Sequence, residues 1–234
     1  MKFLKYLLDG FLSLFYPQLC LSCGKNITPE EDAICITCQF ELPKTGFHLE
    51  KENLFTDRFW GRINIENGAA FYYFSKGGRV QHLIHNLKYN RKAAVGIELG
   101  NLYGKALKNS PLYQNIDIII PVPLHPKKER KRGYNQSDMF AKGLASSLEV
   151  KWDRNILVRT KMTDTQTKKS RLERLENVQD VFKVNNSDSL KNKHVLIVDD
   201  VLTTGATLEA CAVKILEIPD TKVSLATIAF ASNF

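Results

Sequence analysis

The sequence predicts an α/β fold, a doubly wound parallel sheet preceded by a small cysteine module. Two apolar runs, Ile116 to Ile120 and Val195 to Val198, are typical of strands buried on both faces of a parallel sheet. Helical patterns lie between the strand patterns, and this alternation is typical of βαβ units. Two C-x-x-C pairs come before all of these elements.

Length and composition fit one α/β domain with a small appendage. The chain has 234 residues, of which 44% are hydrophobic and 25% are charged, and such values oppose long disorder. The formal net charge of +8 favours an anionic partner. A phosphorylated metabolite, a nucleic acid and a membrane surface all remain open at this point.

The first element is a predicted amphipathic helix in domain 1–17, which ends at Pro17. Its apolar residues follow helical spacing from Met1 to Tyr16, and Asp9 interrupts the run, so a signal peptide is not favoured. The run is also shorter than the roughly 20 residues that span a bilayer. Two roles stay open, packing against the rest of the protein and contact with a membrane surface. We expect a cytoplasmic protein, with a peripheral position at the inner membrane as one option.

The second element is a cysteine module, predicted to cover residues 18–45. Four thiolates in two C-x-x-C pairs are typical of a tetrahedral Zn²⁺ site, here a zinc ribbon. Such a short segment cannot bury a core, so a structural role for the metal is expected. A redox role for one C-x-x-C pair is the alternative. The four cysteines are Cys20, Cys23, Cys35 and Cys38, and the fifth, Cys211, is expected to be a small buried residue in a helix.

The remaining elements fill domain 46–234. Gly77 and Gly78 separate a first strand from a first helix, and β-branched runs mark the later strands. The predicted strands are Gly68 to Phe74, Ile116 to Ile120, Val181 to Val184, Val195 to Val198 and Val223 to Ala229. The predicted helices are Val80 to Tyr89, Ala94 to Lys108, Asp138 to Leu148 and Thr207 to Glu217.

The segment His194 to Leu208 reads HVLIVDDVLTTGATL and predicts an anion site. Small residues at the start of a helix let backbone N–H groups surround a phosphate, and the helix dipole favours negative charge there. Two adjacent carboxylates at the end of the preceding strand can accept hydrogen bonds from ribose hydroxyls. The segment has neither the lysine of a Walker A loop nor the glycine spacing of a Rossmann fingerprint. The candidate residues are Asp199, Asp200, Val201, Leu202, Thr203, Thr204, Gly205, Ala206 and Thr207.

The sequence VLIVDDVLTTGAT resembles the signature by which type I phosphoribosyltransferases bind 5-phosphoribosyl-1-pyrophosphate (PRPP). The resemblance implies that Asp199 and Asp200 hold the ribose hydroxyls and act in catalysis. It also implies that Thr203 to Thr207 hold the 5-phosphate. The expected fold class is therefore type I phosphoribosyltransferase-like, with Mg²⁺ bound alongside PRPP.

Three further stretches are similar to the ComF family, also called the GntX-like group. They read HLIHNLKYNRK at 82–92, PVPLHPKKERKRGYNQ at 121–136 and RTKMTDTQTKKSRLERLENV at 159–178. A cationic loop after the strand at Ile116 to Ile120 suits a pyrophosphate and its magnesium. The resemblance implies that the stretch 159–174 is a mobile loop that closes over the pyrophosphate. The alternatives are a solvated charge run at 127–132, a basic surface helix at 159–174 and a solvated Lys88. The candidate pyrophosphate residues are Lys88, Pro123, Lys127, Lys128, Arg132, Arg159 and Lys161.

Two functions follow from these resemblances. The first is a PRPP-binding protein similar to ComF competence factors, which handle incoming single-stranded DNA in natural transformation with other competence proteins. The second is a metabolic phosphoribosyltransferase that moves ribose 5-phosphate from PRPP to a nucleobase or amine, with Asp200 stabilising positive charge at C1 of the ribose. Whether the protein is an enzyme is left open. The aromatic run Phe71 to Phe74 is expected to be core, with a base-stacking surface as the alternative.

Overall fold

The centre of the protein is a five-stranded parallel sheet in the computed structural model, which describes residues 17–28, 30–160 and 181–232. The strands are β1 (Gly68–Phe74), β2 (Ile118–Pro121), β3 (Lys151–Trp152), β4 (Leu157–Arg159), β5 (Phe182–Val184), β6 (His194–Leu202) and β7 (Lys222–Ala231). The sheet order is β1-β7-β6-β2-β3, and every neighbouring pair is parallel. Strands β4 and β5 form a separate antiparallel pair.

Helices cover both faces of the sheet. They are α1 (Ile36–Glu41), α2 (Arg79–Tyr89), α3 (Ala93–Lys108), α4 (Pro126–Arg132), α5 (Gln136–Leu148) and α6 (Ala206–Leu216). Short 3₁₀ turns lie at Phe47–Leu49, Thr56–Arg58, Pro111–Tyr113 and Ser187–Leu190. The chain crosses from β2 through α5 to β3, and in the opposite direction from β6 through α6 to β7. Because such crossovers are right-handed, α5 and α6 lie on opposite faces, which confirms the doubly wound fold. The direction in which the chain crosses the sheet therefore changes between β2 and β6.

Helices α3 and α5 pack unusually closely. A Cβ atom added at Gly143 of α5 would collide with the carbonyl oxygen of Ile97, and one added at Gly100 of α3 would collide with that of Phe140. This backbone contact fixes where α5 begins, at the carboxyl edge of the sheet beside β6.

The core contains the aromatic residues that the sequence assigns to it. Phe71 and Tyr72 of β1 are buried, with exposed fractions of 5% and 0%. Cys211 of α6 is fully buried, as expected. A base-stacking role for Phe71 and Tyr72 is therefore wrong.

None of the helices in residues 17–28, 30–160 and 181–232 is long and apolar enough to span a membrane.

Three sequence-based expectations differ from the structure. The stretch from Val181 to Val184 does not join the parallel sheet, because β5 pairs with β4 instead. The cationic segment after β2 is the short helix α4 and not a loop. The short strands β3 and β4 were not predicted at all. The predictions for Met1 to Tyr16, for Lys161 and for the rest of the stretch up to Arg174 lie outside the described residues.

Candidate functional site

The site lies at the carboxyl edge of the sheet, where β2 and β6 run side by side. Pro121 at the end of β2 is the register partner of Val198, so Asp199 and Asp200 come immediately beyond the end of β2. Ligands bind at this point in doubly wound sheets, because the loops that leave the two strands turn to opposite faces and open a crevice. The two carboxylates therefore line the crevice.

Asp199 is held by two hydrogen bonds to one of its oxygens. The hydroxyl of Ser137, in the first turn of α5, donates to Oδ1 at 2.8 Å, and the backbone N–H of Asp200 donates to the same atom at 2.8 Å. Burial raises the pKa of Asp199 to about 7, and the charge of Asp200 acts in the same direction. The hydrogen bonds and the charge of Lys88 oppose this rise. Asp199 can therefore gain or lose a proton near neutral pH.

Asp200 forms an ion pair with Lys88, at the C-terminal end of α2. The Nζ–Oδ1 distance is 2.9 Å, and the side chains are 25% exposed for Lys88 and 13% exposed for Asp200. The preceding residue of α2 is also fixed, because the Tyr134 hydroxyl donates to the carbonyl oxygen of Leu87 at 2.6 Å. Lys88 thus faces the crevice, and the expectation of a solvated helix surface is wrong for this side chain.

The loop between β6 and α6 forms a small cradle. A cavity of about 40 Å³ is lined by Asp199 and residues 201–208. Helix α6 begins at Ala206, so its first N–H groups, which have no partner within the helix, face this end. Gly205 has a φ of +83°, and the ring of buried Phe59 lies directly beneath it. The cradle has the size and the donors for a phosphate group.

Helix α4 presents a row of cations beside the crevice. Pro126 occupies its first turn and the His125 Nδ1 accepts the N–H of Lys127 at 3.2 Å, which caps the helix. Lys127 and Lys128 are exposed, whereas Pro123, in the turn after β2, is half-buried. Arg132 donates to Oε1 of Gln136 at 2.7 Å. These contacts orient the helix, and its lysines remain accessible to an anion.

Residues that the sequence did not single out hold α4 and α5 together. Asp138 of α5, only 4% exposed, forms an ion pair with Arg154 at 3.1 Å and accepts a hydrogen bond from Trp152 at 3.1 Å. Arg154 also pairs with Glu129 of α4. In the sequence, these contacts are indicated only by the acidic residue Asp138 in the first turn of α5. Ser137 had no signal of its own, since its partner is 62 residues away.

Arg159 at the end of β4 reaches the same region. Its guanidinium lies over the Phe182 ring, 5.6 Å from the ring centroid. Burial lowers the pKa of Arg159, and the negative charge of Asp199 acts in the opposite direction. Arg159 therefore adds positive charge near the carboxylate of Asp199. Lys161 lies outside the described residues.

Comparison with known proteins agrees with this fold. Residues 135–232 match the model of the phosphoribosyl transferase domain. The DNA utilization protein YhgH of Escherichia coli O6:H1 is 34% identical over 216 residues, which cover 85% of this chain and 91% of that protein. The chain belongs to the ComF-like family of phosphoribosyltransferase-fold proteins. Competence protein F of Haemophilus influenzae is 26% identical over 203 residues, covering 83% of this chain and 89% of that protein. Competence protein ComFC of Bacillus subtilis is 32% identical over 100 residues, covering 43% and 38% of the two chains.

This ComF-like protein also carries a second candidate site, the four-cysteine cluster of the N-terminal module. The Sγ atoms of Cys20, Cys23, Cys35 and Cys38 all lie within 4.8 Å of one another. The backbone N–H of Cys35 donates to the sulfur of Cys20 at 3.3 Å, and Arg79 of α2 donates to the sulfur of Cys38 at 3.7 Å. The thiols are not joined by disulfides. Four close sulfurs with N–H donors around them fit a tetrahedral metal ion.

Most sequence-predicted site residues of this ComF-like chain gather at one edge of the sheet. Asp199, Asp200 and Lys88 make the charged floor of the crevice, and residues 201–207 form the cradle beside it. Leu202 is buried and only 1% exposed, so it supports the loop from below. The exposed side chains of the cradle are Thr203, Thr204, Ala206 and Thr207.

Proposed function

We propose that this ComF-like protein binds PRPP with Mg²⁺ in the crevice between β2 and β6, and that it serves the handling of single-stranded DNA in the cytoplasm. The proposal rests on the position of Asp199 and its neighbour Asp200, which lie beside the cradle at the start of α6. A carboxylate pair next to a phosphate cradle matches a ribose whose 5-carbon bears a phosphate. A plain phosphate site needs no carboxylates, which would repel the anion.

Different parts of the crevice bind different groups of PRPP. Residues Thr203 to Thr207 hold the 5-phosphate through backbone N–H groups and hydroxyls, and Asp199 and Asp200 accept hydrogen bonds from the ribose hydroxyls. Lys88, Arg159 and the cations of α4 lie toward the pyrophosphate. Magnesium binds proteins through one or two carboxylates together with substrate phosphates, and the aspartate pair fits that donor set. The cation would neutralise part of the pyrophosphate charge.

A cationic and aromatic surface beside the crevice supports the DNA role. Tyr89 at the end of α2 is 63% exposed, and the Arg132 guanidinium lies 5.5 Å from its ring centroid. The exposed cations of α4 continue the same surface, namely Lys127, Lys128, Arg130 and Lys131. Aromatic rings that stack on bases, placed among cations that contact phosphates, are the usual means of binding single strands. The names of the relatives, DNA utilization protein and competence protein, point in the same direction.

We also propose that the cysteine cluster holds a structural Zn²⁺ ion. The module that carries it is short, so the metal would supply much of its folding free energy. All four thiols are engaged in one cluster, which leaves no free coordination position for a substrate. The ion therefore contributes to structure and not to a reaction.

Isothermal titration with PRPP and Mg²⁺ tests the ligand assignment. The variant Asp199→Asn/Asp200→Asn removes both charges and keeps side-chain size, so we expect PRPP affinity to fall about 100-fold or more. The matched control is Asp188→Asn/Asp220→Asn, at exposed positions before β6 and β7, at the opposite edge of the sheet. Unchanged affinity in the first variant would sink the site assignment.

Binding of a fluorescent single-stranded oligonucleotide at two salt concentrations tests the DNA role. We expect affinity to fall steeply with salt, and the variant Lys127→Ala/Lys128→Ala to reduce the slope by about 0.7 for each lost phosphate contact. Tyr89→Ala should weaken binding with little change in slope, because stacking is not electrostatic. PRPP binding without DNA binding, together with pyrophosphate release in the presence of a nucleobase or ammonia, would favour the metabolic transferase instead.

A further inference from the structure

Helix α2 connects the cysteine cluster to the carboxylate pair of the crevice. Three of its side chains, from Arg79, His82 and Asn86, contact the cysteine module, and these positions recur at i, i+3 and i+7 on one helix face. Lys88, one turn beyond the middle of the helix, reaches Asp200. The helix has 11 residues and is therefore about 16 Å long. Helix α2 therefore joins the cysteine cluster and the crevice, two sites whose motifs lie in separate parts of the sequence.

Two of the contacts with the module fall on the loop between Cys20 and Cys23. Asn86 Nδ2 donates to the carbonyl oxygen of Leu21 at 2.9 Å, and His82 Nδ1 lies 3.2 Å from the carbonyl oxygen of Ser22. A carbonyl oxygen only accepts, so this histidine nitrogen carries the hydrogen. Leu21 and Ser22 are the two residues between Cys20 and Cys23. Their carbonyl positions depend directly on how those two sulfurs are held.

The N-terminal end of α2 contacts the second cysteine pair. Arg79 donates to the sulfur of Cys38 at 3.7 Å and forms an ion pair with Glu41 at 2.9 Å, although this pair is exposed. The N-terminal and middle parts of α2 are thus fixed by a module whose own order depends on its metal. The C-terminal turn of the same helix carries the cation that faces Asp200.

We propose that the metal-loaded cysteine module positions Lys88 against Asp200 and thereby sets the affinity of the crevice for PRPP. His82 and Asn86 are the positioning residues, because they join α2 to the loop between Cys20 and Cys23. This inference rests on the proposed PRPP site. Loss of the metal would free the loop carbonyls and weaken their bonds to α2. The buried face of the helix and the Tyr134 hydrogen bond would then hold it without the module, and Lys88 would be held less firmly against Asp200.

The test compares two double variants of the full-length protein. His82→Ala/Asn86→Ala removes the two side-chain bonds to the loop between Cys20 and Cys23, and leaves Arg79, all four cysteines and Lys88 in place. His85→Ala/Asn109→Ala deletes the same two side-chain types from exposed positions on α2 and just after α3 and is the matched control. For each protein we would measure the bound zinc, PRPP affinity by titration, and hydrogen exchange of the α2 amides.

We expect His82→Ala/Asn86→Ala to retain zinc, to bind PRPP about tenfold more weakly and to exchange its α2 amides faster, while the control matches the wild type. In a Lys88→Ala background the same double variant should cause no further loss of affinity, because the coupling passes through Lys88. Chelation of zinc from the wild type should reproduce the tenfold loss.

The outcomes separate this inference from the proposed function. Wild-type protein that fails to bind PRPP would remove the proposed function and this inference with it. Wild-type binding with equal affinity in His82→Ala/Asn86→Ala would overturn the inference alone. An additive loss in the Lys88→Ala background would also overturn it, since it would show that the module acts by another route.

Discussion

Ser137 donates a hydrogen bond to Asp199 at 2.8 Å, and so ties the start of α5 to the end of the central strand β6. The same carboxylate is half-buried, and its limited contact with solvent raises its pKa to about 7. A hydrogen bond from a hydroxyl stabilises the ionised form, so Ser137 opposes the effect of burial. Ser137 is therefore one of the groups that set the protonation state of Asp199, together with Asp200 and Lys88.

The variant Ser137→Ala should shift the pH dependence of PRPP binding. Ribose hydroxyls donate to an ionised Asp199, so affinity is expected to rise as pH increases through about 7 and then to level off. Without the Ser137 bond the pKa of Asp199 rises further, and the midpoint should move up by about one pH unit. Titration with PRPP from pH 6 to pH 9 measures this midpoint.

The control for this experiment is Ser147→Ala, which removes a hydroxyl from the other end of α5. Ser147 donates to the carbonyl oxygen of Asn101 at 3.0 Å and does not contact the crevice. Its profile should match the wild type, including any part that arises from titration of the PRPP phosphates. Identical midpoints for Ser137→Ala and Ser147→Ala would contradict the assignment of the profile to Asp199.

Asp199→Asn should increase stability at pH 8. The pKa of Asp199 in the folded protein is about 7 against an ordinary value of 3.8, so the folded state binds more protons than the unfolded state between these values. Stability therefore falls as pH rises through this window, and the loss is complete above it. An asparagine oxygen keeps the acceptor for Ser137 without the charge. We expect a gain of about 1 kcal/mol or more at pH 8 and almost none at pH 4, measured by urea unfolding. A gain that is the same at both pH values would refute the explanation by charge burial.

The segment around β6 could be predicted because its information is local. One strand, two carboxylates, a Thr/Gly loop and a helix follow each other within 15 residues, and each has its own pattern. The prediction for α4 failed for a local reason too. The Lys/Arg run predicts a cationic loop, whereas Pro126 at the first turn and the His125 cap start a helix there.

Other parts of the site depend on contacts between distant segments. Ser137 meets Asp199 only because β2 and β6 are neighbours in the sheet. Lys88 meets Asp200 only because the C-terminal end of α2 reaches the carboxyl edge of the sheet. Strand β5 has the apolar residues Phe182 and Val184 on either side of exposed Lys183, and its partner is the three-residue β4, too short for a sequence pattern. The periodicity of apolar residues predicts which face of a strand is buried, but it does not predict which other strand lies beside that strand.

Replacement of a single cysteine of the cluster should abolish zinc binding. We expect about one zinc per chain in the wild type and close to none in Cys38→Ala, because three thiolates do not complete a structural site. Cys211→Ala is the control, since Cys211 is buried in α6 and lies outside the cluster. Elemental analysis of protein purified without added zinc gives both values. A zinc-free but fully folded wild type, as judged by circular dichroism, would exclude the structural role.

Gly205→Ala should damage the cradle through two separate effects. The φ of +83° disfavours any side chain, and an added Cβ would lie 3.1 Å from the Phe59 ring. Gly77 has a nearly equal φ of +76° and no atom within 4 Å of the added Cβ, so Gly77→Ala isolates the backbone effect. We expect Gly77→Ala to cost about 1 kcal/mol of unfolding free energy and Gly205→Ala about 1 kcal/mol more, because the ring must shift. PRPP affinity should fall only in Gly205→Ala, since only that loop surrounds the 5-phosphate. If both variants lose the same stability and both keep full affinity, Phe59 does not support the cradle and the phosphate does not bind there.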